Sequence, residues 1–138
     1  MARQGERVGE RGTGGFHAFL LAAAVPLFLG ALGADYAYWA TYQIEWSNFA
    51  SWLLAGALAL GALALLAALL ALLRGARVGL LLLLQGATWA IGLWAALVHA
   101  RDAWAVMPAG MVLSAVATVL AIASAWRAFS TLRPGDPP

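Results

Sequence analysis

The residues best suited to chemistry in this chain are polar side chains at the ends of long apolar stretches. They are Asp35, Glu45, Asn48, His99, Arg101 and Asp102. Side chains of these types can exchange a proton, pair as ions or hold a polar headgroup or a partner protein. The competing interpretation is a solvated rim, in which Asp102 caps a helix and Arg101 pairs with Asp35 or Glu45. The sequence leaves both interpretations open.

Two further polar residues, Gln85 and Thr88, lie inside an apolar stretch. An uncharged amide at such a position commonly hydrogen-bonds between helices, and we predict that role for both residues. No carboxylate or histidine chain runs along the stretches, which argues against an ion-coupled transporter or a pump.

The sequence offers no catalytic residues and no metal site. It contains no Cys, which excludes disulfides, thiolate catalysis and Cys-ligated metals. His17 is predicted at the inner end of the first helix and His99 at the outer end of the third helix. The two histidines are therefore separated by roughly 30 Å. One haem cannot bridge them within a monomer. Haem b held by one histidine and a ligand of another subunit stays open as an alternative.

The elements that carry these residues are membrane-spanning helices. Of the 138 residues, 64% are hydrophobic and only 10% are charged, whereas a soluble domain carries roughly 25% charged residues. Four stretches, at about 16–34, 48–73, 78–100 and 103–126, are long enough to cross about 30 Å of hydrocarbon. The sequence therefore predicts an all-α, polytopic four-helix bundle over residues 16–129. We expect a disordered tail at 1–15 and a second tail at 130–138.

The arginines predict the orientation of these helices. With the N-terminus inside, seven of the eight arginines are cytoplasmic and Arg101 alone lies outside, so the positive-inside rule predicts N-in and C-in. Aromatic residues mark the outer side, and we expect residues 36–46 to lie along the membrane surface. A cleavable signal peptide is the weaker interpretation, since no tight small-x-small site precedes Asp35. The arginines are too scattered for nucleic-acid binding.

Helical periodicity predicts which faces pack together. In the third helix Gln85, Thr88 and His99 share one face with small residues, and Ile91, Trp94 and Val98 form the opposite face. Small residues mark the predicted contact faces of the second and fourth helices. These residues are Ala57, Gly61, Ala64, Ala68 and Ala71 in the second helix, and Gly110, Ser114, Ala117, Thr118, Ala121 and Ala125 in the fourth.

The segments 30–39, 44–52 and 97–108 resemble the bacterial inner-membrane family called domain of unknown function 2231. The likeness covers roughly residues 16–129. It implies four transmembrane helices and an inner-membrane location but no reaction, because that family has no settled activity. Members often begin the first helix with a histidine pair, of which only His17 is present here. Some members accompany membrane redox enzymes, which implies an electron-transfer partnership.

We therefore expect a non-enzymatic accessory or anchoring subunit in the bacterial inner membrane. The lipid bilayer is its first partner, and a second copy or a membrane redox protein is the next. The alternative is an electron-transfer subunit that contacts haem or quinone at the outer face, and a third hypothesis is a small-solute transporter.

Overall fold

The computed structural model describes residues 2–132, with side chains described for residues 14–102 and 104–132. Its elements are α1 (Ala2–Thr41), α2 (Ile44–Leu73), α3 (Gly79–His99), a short 3-10 turn (Ala103–Ala105) and α4 (Ala109–Leu132). No β-strand occurs within residues 2–132. Each of the four helices includes a segment long and apolar enough to cross a membrane. The predicted all-α architecture with four membrane-spanning helices is confirmed.

The helices form an antiparallel bundle in which α1 packs against α2 and α4, and α3 packs against the same two helices. Close approach depends on small residues, as expected where lipid surrounds a protein and burial of apolar surface does not drive association. Gly30 of α1 lies beneath Leu53 of α2, and Gly56 of α2 lies beneath Leu27 of α1. We call the two ends of the bundle the Asp35 end, which holds the α1–α2 and α3–α4 connections, and the His17 end, which holds the α2–α3 turn.

The predicted contact faces are largely confirmed. Gln85, Thr88 and His99 are buried on α3, and Trp94 on the opposite face is 57% exposed. Val98 is buried and Ile91 packs partly buried against the core, contrary to the prediction that both belong to the opposite face. Most of the small residues predicted to pack on α2 and α4 are buried as well: Ala57, Ala64, Ala68, Gly110, Ser114, Ala117, Thr118, Ala121 and Ala125.

The α1–α2 connection is much shorter than the sequence suggested. A surface segment at residues 36–46 was expected, but α1 continues to Thr41 and α2 begins at Ile44. The aromatic residues do not interrupt the helical hydrogen bonds, since Tyr42 N–H still donates to Tyr38 O at 2.7 Å. Tyr42 then adopts a φ of 55°, the left-handed conformation that commonly ends a helix. Most aromatic residues of the segment 36–46 are exposed, whereas Tyr38 is buried.

The ends of the chain also differ from the predicted domain limits. Helix α1 begins at Ala2, within the segment expected to be a disordered tail, because extending an existing helix needs no new nucleation. Helix α4 runs to Leu132 and so includes the start of the predicted second tail. Residues 133–138 of that tail lie outside the described residues.

Helix α4 begins later than predicted. Asp102 was expected to cap it, but the backbone makes a 3-10 turn at Ala103–Ala105, and α4 starts at Ala109. Pro108 explains the shift, because a proline disfavours helical geometry at the residue that precedes it. The α2–α3 turn is a Schellman motif, in which Ala76 N–H donates to Ala71 O and Gly75 N–H to Leu72 O. Gly75 has the left-handed φ of 89° that this motif requires.

Candidate functional site

Three helices meet at Asp35 near one end of the bundle. Asp35 lies on α1 and is 0% exposed. Its Oδ1 is 2.6 Å from Nε2 of His99 on α3, and its Oδ2 accepts a hydrogen bond of 2.6 Å from the Ser114 hydroxyl on α4. Both carboxylate oxygens therefore have a partner from a different helix. We call Asp35, His99 and Ser114 the Asp35 centre.

The hydrogen bonds of His99 define how many protons the centre holds. Its Nδ1 is 2.7 Å from the backbone carbonyl oxygen of Ala95. A carbonyl oxygen can only accept, so Nδ1 carries a hydrogen. The contact between Nε2 and Asp35 Oδ1 then holds one further hydrogen, which resides on His99 in the ion-pair form and on Asp35 in the neutral form. The pair has no net charge in either form, which makes its burial affordable in an apolar bundle.

The chain makes room for the His99 ring with a glycine. A methyl group on Gly110 of α4 would lie 2.9 Å from Cε1 of His99 and 2.7 Å from Cγ1 of Val106. Such distances are too short for carbon atoms, so a larger residue at position 110 would push the ring away. Val106, in the α3–α4 connection, is 0% exposed and packs over Gly110 near the ring. The absence of a side chain at Gly110 thus leaves room for the His99 ring beside Asp35, and Val106 packs over the same region.

The order of the hydrogen bonds excludes a hydrolytic triad. In a triad, histidine takes the proton of the serine hydroxyl and an aspartate orients the histidine. Here the Ser114 hydroxyl donates to Asp35, and the Asp35 carboxyl stands between serine and histidine. The side chains of Asp35 and His99 are both 0% exposed. Ser114 is itself 0% exposed, so its hydroxyl is not accessible to a substrate in this structure.

The other predicted polar residues at this end border an open groove rather than join the centre. The groove has a volume of about 350 Å³ and is lined by Ile44, Glu45, Ser47, Asn48, Ser51, His99 and Arg101. Because the His99 side chain is 0% exposed, its main chain forms that part of the wall. Glu45, Asn48, Arg101 and Asp102 are all exposed.

Two expectations for these residues are wrong. Arg101 was expected to pair with Asp35 or Glu45, yet among the described residues Asp35 pairs with His99 and no ion pair involves Arg101. The solvated-rim interpretation also placed Asp35 in solvent, but α1 continues past it for more than a turn and Asp35 is buried in the bundle. The inward direction of His99, predicted from the α3 polar face, is confirmed.

A second polar group lies deeper, where the sequence predicted hydrogen bonding between helices. The Gln85 side-chain amide of α3 is 2.9 Å from Nε2 of His17 on α1. Thr88 Oγ1 donates to Leu84 O within α3 and lies 3.4 Å from Ser124 Oγ of α4. Gln85, Thr88 and Ser124 are all buried. The interhelical role of Gln85 and Thr88 is therefore present in the structure.

The ring nitrogens of His99 are not free to bind a haem iron or a metal ion. Both ring nitrogens of His99 are engaged, by Ala95 O and by Asp35, so an axial bond to iron would have to displace one of them. His17 Nε2 faces Gln85. Within the described part of the chain, no group of three or more His, Cys, Asp or Glu residues could hold a metal ion.

Sequence reasoning missed two members of the site. Ser114 and Gly110 were assigned to helix packing, because their four-residue spacing on α4 is the usual signal of a packed face. The clue was available in the residue type, since Ser114 has a hydroxyl that must find a partner when buried. Which partner it finds depends on how far α1 and α4 are shifted along their axes relative to each other. The periodicity of one helix does not contain that information.

Comparison with known proteins adds no relative. No protein-family model, curated protein or solved structure matches this chain.

Proposed function

We propose that this protein is a non-enzymatic accessory or anchoring subunit of the bacterial inner membrane, with the Asp35 centre as the lock that fixes its helices. The observation that carries the proposal is the closure of that centre. Both oxygens of Asp35, both ring nitrogens of His99 and the Ser114 hydroxyl are hydrogen-bonded within the protein. A group whose hydrogen bonds are all made inside the fold is suited to specifying structure rather than to turning over a substrate.

The lock has a physical purpose in lipid. Apolar faces of helices slide and rotate against each other at little cost, because lipid chains are as apolar as the side chains they replace. A buried pair of polar groups tolerates only one register, since separating the partners leaves a polar group unpaired in hydrocarbon. Asp35, His99 and Ser114 fix α1, α3 and α4 relative to one another in this way.

The exterior supports a role within the membrane. Large apolar side chains are exposed along all four helices, among them Phe19, Trp52, Leu83 and Val119. Such a surface requires lipid or another membrane protein around it. Membership of the family called domain of unknown function 2231, the N-in/C-in orientation and the bacterial inner membrane belong to the same proposal and rest on the sequence.

The experiment compares Asp35→Asn with Asp35→Leu in a strain that lacks the gene. An asparagine can donate from its amide to His99 Nε2 and accept from Ser114, so it preserves the lock without an acidic group. Leucine leaves both partners unpaired. We expect Asp35→Asn to accumulate in the membrane to the wild-type amount and to complement the deletion. Asp35→Leu should neither accumulate to that amount nor complement the deletion.

The opposite pattern would overturn the proposal. In that pattern Asp35→Asn accumulates to the wild-type amount and keeps its thermal stability but fails to complement the deletion. The acidic group then does chemistry and the centre is not a lock. Gly33→Ala is the matched control, because a methyl group at this exposed position near Asp35 meets nothing within 4 Å.

A specific observation favours one second candidate, an electron-transfer subunit that contacts quinone at the outer face. The groove beside His99 offers Arg101 and Asn48 as hydrogen-bond donors and has a volume of about 350 Å³. A short-chain quinone titrated into the purified protein tests it, with Arg101→Ala expected to weaken binding. Small-solute transport has less support, because buried apolar residues such as Phe28 and Leu54 lie between the two polar groups.

A further inference from the structure

A small cavity lies in the middle of the bundle beside the deeper polar group. It has a volume of about 20 Å³ and is bordered by residues of all four helices. Its polar lining comes from Gln85, Thr88 and Ser124, and apolar side chains such as Leu21 and Phe28 complete the wall. The cavity belongs neither to the Asp35 centre nor to the groove beside it.

The residues that line this cavity leave at least one buried acceptor without a partner. The Thr88 hydroxyl donates to Leu84 O, the Ser124 hydroxyl donates to Leu120 O, and the Trp89 indole N–H donates to Leu58 O. These two hydroxyl hydrogens and the indole hydrogen therefore have acceptors on the backbone. The hydroxyl oxygens of Thr88 and Ser124 lie 3.4 Å apart and retain lone pairs. Gln85 Oε1 is buried and has no hydrogen-bond partner among the described residues. The cavity is therefore lined by one residue with an unpartnered polar atom, Gln85, and by two residues whose hydroxyl oxygens can accept a further hydrogen bond.

The orientation of the Gln85 amide decides whether the unpartnered atom accepts or donates, but not that a partner is needed. As placed, Nε2 donates to His17 Nε2 and Oε1 is the unpartnered atom. Rotating the amide by half a turn would let Oε1 accept from His17 and would leave Nε2 unpartnered instead. In either orientation Gln85 has one polar atom in need of a partner.

We propose that this cavity binds one structural water molecule, which hydrogen-bonds to the unpartnered amide atom of Gln85 and donates to the hydroxyl oxygen of Thr88 or Ser124. Water fits both the volume of the cavity and its polar lining. A cavity of about 10–15 Å³ is the minimum for one water, which also needs two to four polar partners. A small cation such as ammonium would carry the same donors, but no carboxylate borders the cavity to balance its charge.

The position of the cavity places this water on the His17 side of an apolar barrier. Toward the Asp35 end, the Phe28 ring packs so closely on α3 that a methyl group on Gly92 would lie 2.9 Å from it. Toward the other end, Gln85 contacts His17, which borders an opening of about 530 Å³ at the His17 end of the bundle. The bound water therefore has polar neighbours on one side only.

Radiolytic footprinting of the purified full-length protein in lipid nanodiscs tests the site. X-rays convert bound water to hydroxyl radicals, which oxidise the side chains that touch it even where bulk solvent has no access. We expect Phe28 and Leu21 to be oxidised in the wild type, and their oxidation rates to fall at least threefold in Gln85→Leu and in Thr88→Val. Thr118→Val is the matched control, because the Thr118 hydroxyl bonds to Ser114 O on its own helix and does not border the cavity.

The readout separates loss of water from loss of folding, since unfolding would raise oxidation throughout the chain rather than lower it at two residues. Equal oxidation of Phe28 in the wild type and in Gln85→Leu would overturn the proposal. A fall in Phe28 oxidation on addition of ammonium chloride, but not of sodium chloride, would also overturn it, because the ligand would then be the cation.

Discussion

Nε2 of His99 lies 2.6 Å from Oδ1 of Asp35, although 64 positions separate the two residues in the sequence. This contact joins the end of α3 to α1 and is the one contact of a basic with an acidic side chain within 4.0 Å among the described residues. Removing either partner leaves the other buried without its main hydrogen bond, which costs several kcal/mol in comparable buried pairs.

The first prediction concerns the coupling of these two residues. Asp35→Leu and His99→Leu should each lower the free energy of unfolding by about 3 kcal/mol. The double variant should lose much less than the sum, with a coupling energy of about 2 kcal/mol, because the second substitution removes a group that has already lost its partner. Unfolding by SDS titration in mixed micelles measures all four proteins. Additive losses would contradict the contact.

Gly110 provides a second prediction about the same centre. Gly110→Ala places a methyl group against the His99 ring and Val106, and overpacking of this kind costs about 1–3 kcal/mol. Gly33→Ala at the same end of the bundle meets nothing within 4 Å, so it should stabilise the helix by about 0.5 kcal/mol. The two melting temperatures should therefore move in opposite directions. An unchanged or raised melting temperature of Gly110→Ala would show that Gly110 is not needed for space.

Arg101 is expected to act independently of the Asp35 centre. It is exposed, and no ion pair joins it to a carboxylate in the part of the chain that the structure describes. Arg101→Ala should change the free energy of unfolding by less than about 1 kcal/mol. Combined with Asp35→Leu, the two effects should add, because the side chains share no partner. A clear departure from additivity would restore the pairing that the sequence suggested.

The architecture was predictable because a bilayer allows few solutions. An apolar run such as residues 48–73 can satisfy its backbone in hydrocarbon only as a helix, so hydropathy alone identified four spans. The limits of the helices were less predictable. Tyr36, Trp39 and Trp46 indicated an interface, and hydropathy does not distinguish an aromatic residue at the end of a helix from one in a surface segment.

The candidate site was predictable only within each helix. The polar face of α3 correctly directed His99 and Gln85 into the bundle, because periodicity specifies direction around a helix axis. The partners of these residues depend on how far neighbouring helices are shifted along their axes. That shift is set by the two-residue link Tyr42–Gln43 and by the turn before Pro108. The link was expected to be longer, and the segment before Pro108 was expected to be helical. The sequence therefore grouped Asp35 with both His99 and Arg101 and could not show that His99 is its partner.

The orientation of the protein in the membrane yields a fourth prediction. Arginines flank the spans at the His17 end, which should lie in the cytoplasm under the positive-inside rule. A reporter active only in the cytoplasm should be active after Arg133 and silent after Gln43. A periplasmic reporter at the same two positions is the control and should give the reverse pattern. Activity of the cytoplasmic reporter after Gln43 alone would invert the topology.

The last prediction concerns the two faces of α3. Gln85 is 3% exposed and hydrogen-bonded to His17, whereas Trp94 is 57% exposed on the opposite face. Gln85→Leu removes a hydrogen bond between α3 and α1 and should lower the free energy of unfolding by about 0.5–1.5 kcal/mol. Trp94→Leu replaces one lipid-facing apolar side chain by another and should change it by less than about 0.5 kcal/mol.

The comparison between these two variants matters more than either value, because errors in the SDS extrapolation affect both equally. His17→Phe provides the matching removal of the other partner and should lose about as much as Gln85→Leu. The double variant of His17 and Gln85 should then lose less than the sum of the two single losses, since one hydrogen bond connects them. If Trp94→Leu is the more destabilised protein, α3 faces the bundle with the wrong side in this structure, and the contact between Gln85 and His17 does not form.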